Sequence, residues 1–337
     1  MSCGSRNSLG LTGFVADTKF NPDRGFFDAP FSLSITTATA SASIYFTTNG
    51  SAPSPANGAL YTAPVPINGQ SFIRAAAFLA GSVPSDVDTH TYIFLSDVLR
   101  QSNNIPNYPT TWQASYPADY GMDSNIVNHP TYGPALSNDL RSIPSLSIVS
   151  DQNGLWNSST GIYPNPTSIG LAWERAASVE LIRGDGHTEF TITSKLQVHG
   201  NASRDNVRTP KHSIGLAFNT DYGPSLLDYD WFGGGETKQD GIVLRSCGFV
   251  DGWAGRYADN TLYTSSETGE TFRGLRYRPE NTCYLRDSWM KDTFRAMGWN
   301  ASRSSFEMIV NSVWPSPRIN STEAERSHAR PMLVGFG

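Results

Sequence analysis

The sequence predicts a mainly β protein with some α content, built as a β-sandwich followed by a second, mixed unit. Three observations predict it. The chain has 337 residues, more than one core usually holds, and domains of roughly 100–200 residues favour two. Charged residues make up only 16%, below the ~25% of an average soluble domain, and Ser, Thr, Asn, Gly and Pro fill the difference. Those are residues of turns and short strands. Short alternating runs then recur at roughly 8–12-residue spacing, the pattern of a sandwich.

Residues 19–95 carry that pattern. Phe31, Leu33 and Ile35 alternate with small polar residues. Ile44-Tyr-Phe-Thr-Thr48 is β-branched and aromatic, and Asn49-Gly50 after it is a strong turn signal. Ser51 to Gly58 is a loop. Leu60-Tyr61, Val65 to Ile67, Phe72 to Phe78 and Thr89 to Phe94 supply further strands. Residues 1–18 are a leader or the remnant of a preceding domain.

Residues 96–139 read as a linker and wrapping segment. They are rich in Asn, Pro, Tyr and Ser, and Trp112 with several tyrosines marks ordered coil laid over a domain. Asp119 and Asp123 lack the further oxygen ligands of a calcium loop, so a capped turn is the better reading. Ala135 to Arg141 forms a short helix and Ser145 to Val149 a strand ending at Asp151.

From residue 140 the strands continue. Ser178 to Ile182 and Phe190 to Thr193 form a hairpin across Arg183-Gly-Asp-Gly186, and Leu196 to His199 is a further strand closed by Gly200. The polar loop Asn201-Ala-Ser-Arg204 leads to a strand over Pro210 to Phe218, whose alternation puts Lys211 and Ser213 opposite His212 and Ile214. A polar loop between strands followed by a strand lysine is how a kinase holds nucleotide phosphates; such a lysine is also commonly just solvated. Tyr284 to Met297 has helical spacing of Leu285, Trp289 and Thr293, and Gly298 is a natural stop.

Bulk properties narrow the partners. Net charge is −5 with no basic run, which excludes a nucleic-acid tract. No window approaches the ~18–20 apolar residues of a membrane span. Cys3, Cys247 and Cys283 contain no C-x-x-C pair and give no zinc site; a Cys247–Cys283 bridge stays open. Met1 is followed by no apolar signal-peptide core. The chain is therefore cytosolic, or its start lies inside a longer secreted gene.

Two resemblances sharpen this reading. The run Ile44 to Ser51 (I-Y-F-T-T-N-G-S), with Pro53, Tyr61, Pro64, Ile73-Arg-Ala75, Phe78, Gly81 and Tyr92, resembles the C-terminal domain of chitobiase and β-hexosaminidase. That domain is an immunoglobulin-like sandwich appended to secreted bacterial proteins. Its aromatics, Tyr45 and Tyr61 here, either fill the core of a spacer or bind glycan or wall polymer.

The second resemblance covers residues 140–311. Trp173-Glu-Arg175, Ser178-Val-Glu180, Gly200-Asn-Ala-Ser-Arg204, Pro210-Lys-His-Ser213, Val243-Leu-Arg245, Asp251 with Trp253, and the helix from Tyr284 to Gly298 resemble the spore-coat CotH kinase family. The resemblance implies the N-terminal part of an atypical kinase-like domain, located outside the cell or at its surface. It implies ATP with Mg or Mn as cofactor and phosphate transfer to protein Ser or Thr. Lys211 would be the phosphate lysine, with Arg204 as supporting cation and Ser203 as a further phosphate contact.

The family pattern holds to Asn311. Ser312-Val-Trp-Pro-Ser-Pro-Arg318 then departs from it, with prolines where a strand should alternate. Residues 312–337 read as a divergent tail, as from an altered reading frame. The only Asp or Glu after Asn300 are Glu307, Glu323 and Glu325, so the metal-binding and catalytic aspartates that phosphoryl transfer needs are missing. The expectation is a catalytically incomplete kinase homologue with no catalytic and no metal-ligating residue to assign. A surface module binding glycan or protein partners is the alternative. A glycoside hydrolase would need two facing carboxylates, and no such pair stands out.

Overall fold

Leu33 and Ile35 fall on one side of their strand and are almost wholly buried, while Ser32 and Thr36 on either side of them are exposed. That period-2 burial organises the first unit. The computed structural model describes residues 13–231, apart from 103, 107, 113–115, 118–119, 123, 202–203 and 205–211. It also describes 237–244, 262–264, 271–273, 293–294, 296–298, 309–313, 316–318 and 332–336.

The first unit is a two-sheet sandwich. Strands β1 (Thr18–Asn21), β2 (Gly25–Phe26), β3 (Phe31–Thr37), β4 (Ser43–Thr47), β5 (Ala59–Leu60), β6 (Val65–Ile67), β7 (Ser71–Phe78) and β8 (Asp88–Ile93) divide between a sheet of order β1-β3-β6 and one of order β2-β8-β7-β4-β5. Leu33, Ile35, Ile44, Ile67, Ile73, Ala75, Ala77 and Tyr92 fill the space between them. Each large aliphatic side chain buried there stabilises the fold by roughly 1.5–3 kcal/mol. The strands match the predicted runs. The sandwich begins earlier than residue 19, because Phe14 bridges Val83 and Val15 enters the core. The expected Asn49-Gly50 turn forms, with Gly50 at φ +76°, and leads through the 51–58 loop into β5.

Three short helices and a ribbon follow. α1 (Leu95–Leu99) leaves β8 directly; β9 (Thr111–Trp112) pairs β10 (Tyr116–Pro117); α2 (Ser124–Val127) and α3 (Leu136–Ser142) complete the segment. Tyr108 and Tyr120 pack edge to face, their ring centroids 5.9 Å apart, and Tyr108 also meets Trp156 at 5.9 Å.

The second unit is one sheet. It comprises β11 (Ser145–Ser150), β12 (Arg175–Ile182), β13 (Thr188–His199) and β14 (Ser213–Ala217), then, past the ribbon of β15 (Leu227–Asp228) and β16 (Lys238–Gln239), β17 (Gly241–Leu244). These five run antiparallel to their neighbours in the order β17-β14-β13-β12-β11. β18 (Leu262–Thr264) and β19 (Thr271–Arg273) pair separately. β20 (Ile309–Val313), β21 (Ser316–Arg318) and β22 (Met332–Phe336) extend the sheet beyond β11, with β22 parallel to β11. Residues 316–318, placed in a divergent tail, thus pair as a strand despite Pro317.

Two local features differ from expectation. The runs 190–193 and 196–199 are one twelve-residue strand, because Ser194 pairs Ala177 and Lys195 pairs both Ala176 and Ala217, leaving no break between them. A helix α4 (Gln152–Trp156) follows β11, started by Asp151, whose carboxylate accepts from Asn153 N at 3.1 Å. This is N-capping, which satisfies a backbone donor left free at a helix start. Most of the helix expected over Tyr284 to Met297 lies outside the described residues. Within it Met297 N donates to Thr293 O at 3.0 Å and Gly298 takes φ +82°, as a stop should.

Candidate functional site

The register assigns the second sheet two different faces. Leu146, Ile148, Val179, Leu181, Ile192, Leu196, Val198, Ile214, Leu216, Ile242 and Leu244 share one, and they form its core with Trp156 and Trp231. The other is polar: Ser147 stands beside Glu180, Glu180 beside Thr191, Lys195 beside Ala217, and His199 beside Ser213. Two groups of side chains on this polar face form built arrangements.

One lies where β13 turns to β14. Arg204 folds back so that its guanidinium donates to four backbone carbonyls: Gly200 O at 2.8 Å, Ser168 O at 2.9 Å, Pro166 O at 3.3 Å, and Val198 O. It thereby ties the loop after β13 to the 166–168 segment, and burial lowers its pKa. Four of its five N–H donors are spent on carbonyls. Along the strand, Lys195 Nζ meets Glu174 Oε1 at 3.0 Å, and Tyr222 donates to the other carboxylate oxygen at 3.3 Å. The Lys195–Glu174–Tyr222 group was not singled out from the sequence. Its signal was there in Trp173-Glu174-Arg175 ahead of an alternating strand with an outward lysine.

The other arrangement joins the two units. Arg24, between β1 and β2, places Nη1 2.7 Å from Oε1 of Glu180, which has no solvent exposure. Thr91 Oγ1 donates to Glu180 Oε2 and lies 2.8 Å from Ser147 Oγ. Arg24 Nη2 meets His90 Nε2 at 2.9 Å, so that nitrogen is the acceptor and the ring is neutral. His90 stacks on Phe20 at 3.8 Å, with Nδ1 3.0 Å from Asp23 Oδ1. Burial pushes the Glu180 carboxyl up to about 6 against the pull of Arg24 and Thr91. Burial likewise lowers His90 to about 4, and the contact with His90 holds Asp23 well below the usual carboxylate range. Beside this polar cluster, Ile93, Leu95, Val98, Leu140, Ile143 and Ile182 form a shared apolar seam.

Residues 22–89 match the chitobiase/beta-hexosaminidase C-terminal domain. The match runs from the β1–β2 connection into β8 and includes the Thr47-Thr-Asn-Gly-Ser51 core of the earlier resemblance. No curated protein matches the chain.

Of the residues expected to contact ATP, Arg204 is the loop clip described above. Lys211 and Ser203 lie outside the described residues, as do Cys3, Cys247 and Cys283, Asp119 and Asp123, and Asp251 with Trp253. Among the described residues no group of three or more His, Cys, Asp or Glu side chains gathers as a metal site would. Tyr45 and Tyr61 are each half-buried: Tyr45 packs edge-on to Phe78 at 5.7 Å and Tyr61 against the sandwich core. Both take part in packing of the sandwich.

Proposed function

We propose that residues 140–311 belong to a CotH-like protein-kinase homologue acting outside the cell or at its surface, with the matched sandwich as its fixed companion. The observation that supports this is strand order. Five antiparallel strands include β13 and β14, paired directly across the connection that carries Arg204, and Lys211 stands two residues before β14 begins. A loop followed by a lysine at the entry to a strand is an order that can hold nucleotide phosphates.

The described side chains define what this chain contributes. Arg204 and Lys195 are engaged with protein groups, so the phosphate contact rests on Lys211. The described residues supply no cluster fitted to Mg or Mn, and no phosphoryl-transfer step is assigned to them. The proposed role is a nucleotide-binding scaffold that does not turn over.

Thermal unfolding of the full chain with ATP and Mg²⁺ or Mn²⁺ tests this. An ATP-dependent rise in Tm that Lys211→Ala abolishes supports the reading. No rise at millimolar ATP overturns nucleotide binding, and phosphate transfer to a protein substrate overturns the scaffold role.

A further inference from the structure

A groove of about 460 Å³ opens on the sandwich, far in sequence from the β13–β14 loop. Its size falls within the ~300–1,000 Å³ typical of small-molecule sites. Val65, Ile67 and Ile73 give it apolar walls, and Gln70, Asp97 and Gln101 give it polar ones.

Its polar side is unfinished. Gln70 Oε1 accepts from Phe94 N at 2.8 Å, which fixes the orientation of that amide and leaves Nε2 as the free end. Both Gln70 Nε2 and Gln101 Nε2 are shielded from water and have no hydrogen-bond partner. Leaving a shielded donor unpaired is unfavourable, so the Gln101 amide at the groove wall gains by turning to an acceptor oxygen. Asp97 adds an acceptor: its Oδ2 takes Gln70 N at 2.9 Å and packs so near Gly69 that a Cβ there would lie 2.4 Å from it.

The lining selects the ligand's chemistry. Among the described residues no Lys or Arg lines the groove and Asp97 is acidic, which disfavours anions. Two unmet donors disfavour a purely apolar guest. An extended peptide would have to add to the edge strand β6, whose centre is Pro66, a residue with no N–H to donate. A neutral polyhydroxyl ring fits this lining: a hydroxyl oxygen for the Gln101 amide, a hydroxyl proton for Asp97, and a C–H face for the aliphatic wall. We infer that this groove is a binding site for a neutral saccharide, reached by rotation of the Gln101 amide onto a sugar oxygen. The inference is independent of nucleotide binding.

Titration calorimetry of the full chain with glucose, galactose, N-acetylglucosamine and their β-1,4-linked tetramers tests it, with glucuronate as the anionic control. Binding of at least one neutral sugar is expected, weakened tenfold or more by Gln101→Leu. Because Gln101→Leu removes an unpaired donor, its Tm without sugar should stay level or rise. Gln101→Glu, which exchanges the donor for an acceptor of the same shape, should weaken binding equally and covers the case of a Leu variant that misfolds. No binding by any neutral sugar overturns the inference. So does binding that both variants leave intact, or stronger binding of glucuronate or of an extended peptide.

Discussion

Arg24 of the sandwich and Glu180 of the second sheet meet across the junction at 2.7 Å, with the carboxylate wholly withdrawn from solvent. A buried carboxylate tolerates its ionised form only while its partners remain in place. Arg24→Ala removes the counter-charge and also the donors to Thr191 and His90. The expected loss is about 3–5 kcal/mol in urea unfolding. Glu180→Gln retains the shape and leaves only Arg24 without its buried partner, and Arg24 still reaches the exposed carboxylate of Asp23 at 3.4 Å, so its loss should be smaller. An equal or larger loss for the Gln variant would show that the pair is not held as described.

The same junction carries a pH dependence with two opposing parts. His90 is lowered from 6.5 to about 4, so the unfolded chain binds the extra proton and stability is lost as pH falls from about 6.5 towards 4. Glu180 is raised from 4.5 to about 6, so its contribution is fully present below 4.5 and is lost as pH rises through 6. Histidine has the larger shift, and stability should fall on acidification by on the order of 1–3 kcal/mol. Removing the opposing part by Glu180→Gln should make that acid fall steeper. Denaturant midpoints recorded from pH 7 to pH 4 for both proteins check the sign.

The Asn49-Gly50 turn couples the units at a second place. Gln152 N donates to Asn49 O at 3.1 Å, and a Cβ on Gly50 would lie 1.8 Å from Ser150 O, a backbone atom with no room to give. Gly50→Ala therefore meets both a left-handed φ and a clash across the junction. Its expected cost is more than about 1 kcal/mol. Amide exchange at Gln152 should quicken, whereas a defect confined to the turn would leave Gln152 protected.

Much of the fold was legible because its signals are local. Leu33 and Ile35 alternate within one strand, Asn49-Gly50 announces its own turn, and Arg183-Gly-Asp-Gly186 its own hairpin. The junction was not legible, because Arg24, Thr91 and Glu180 are brought together only by docking, and a lone Glu in an alternating strand looks like a solvated one. The helix after β11 was missed for a related reason: five residues are too few to display a helical period, and Asp151 is a cap only once the helix exists. Arg204 stood out as a cation near the loop, but sequence could not tell that four carbonyls already surround it.

That last point leads to a prediction separating a structural arginine from a ligand-binding one. If Arg204 serves to tie the loop after β13 to the 166–168 segment, its loss weakens the fold whether or not nucleotide is present. Arg204→Ala should cost roughly 1.5–3 kcal/mol, the scale of hydrogen bonds from a charged group. Arg204→Lys should recover little, because an ammonium is a compact charge and cannot reproduce a planar fork reaching four carbonyls. Thermal unfolding of both variants, with and without ATP and Mg²⁺, should give the same decrease under each condition. A decrease that appears only with ATP would instead make Arg204 a nucleotide contact. It would also require the guanidinium to leave the carbonyls of Gly200, Val198, Pro166 and Ser168 when the ligand arrives.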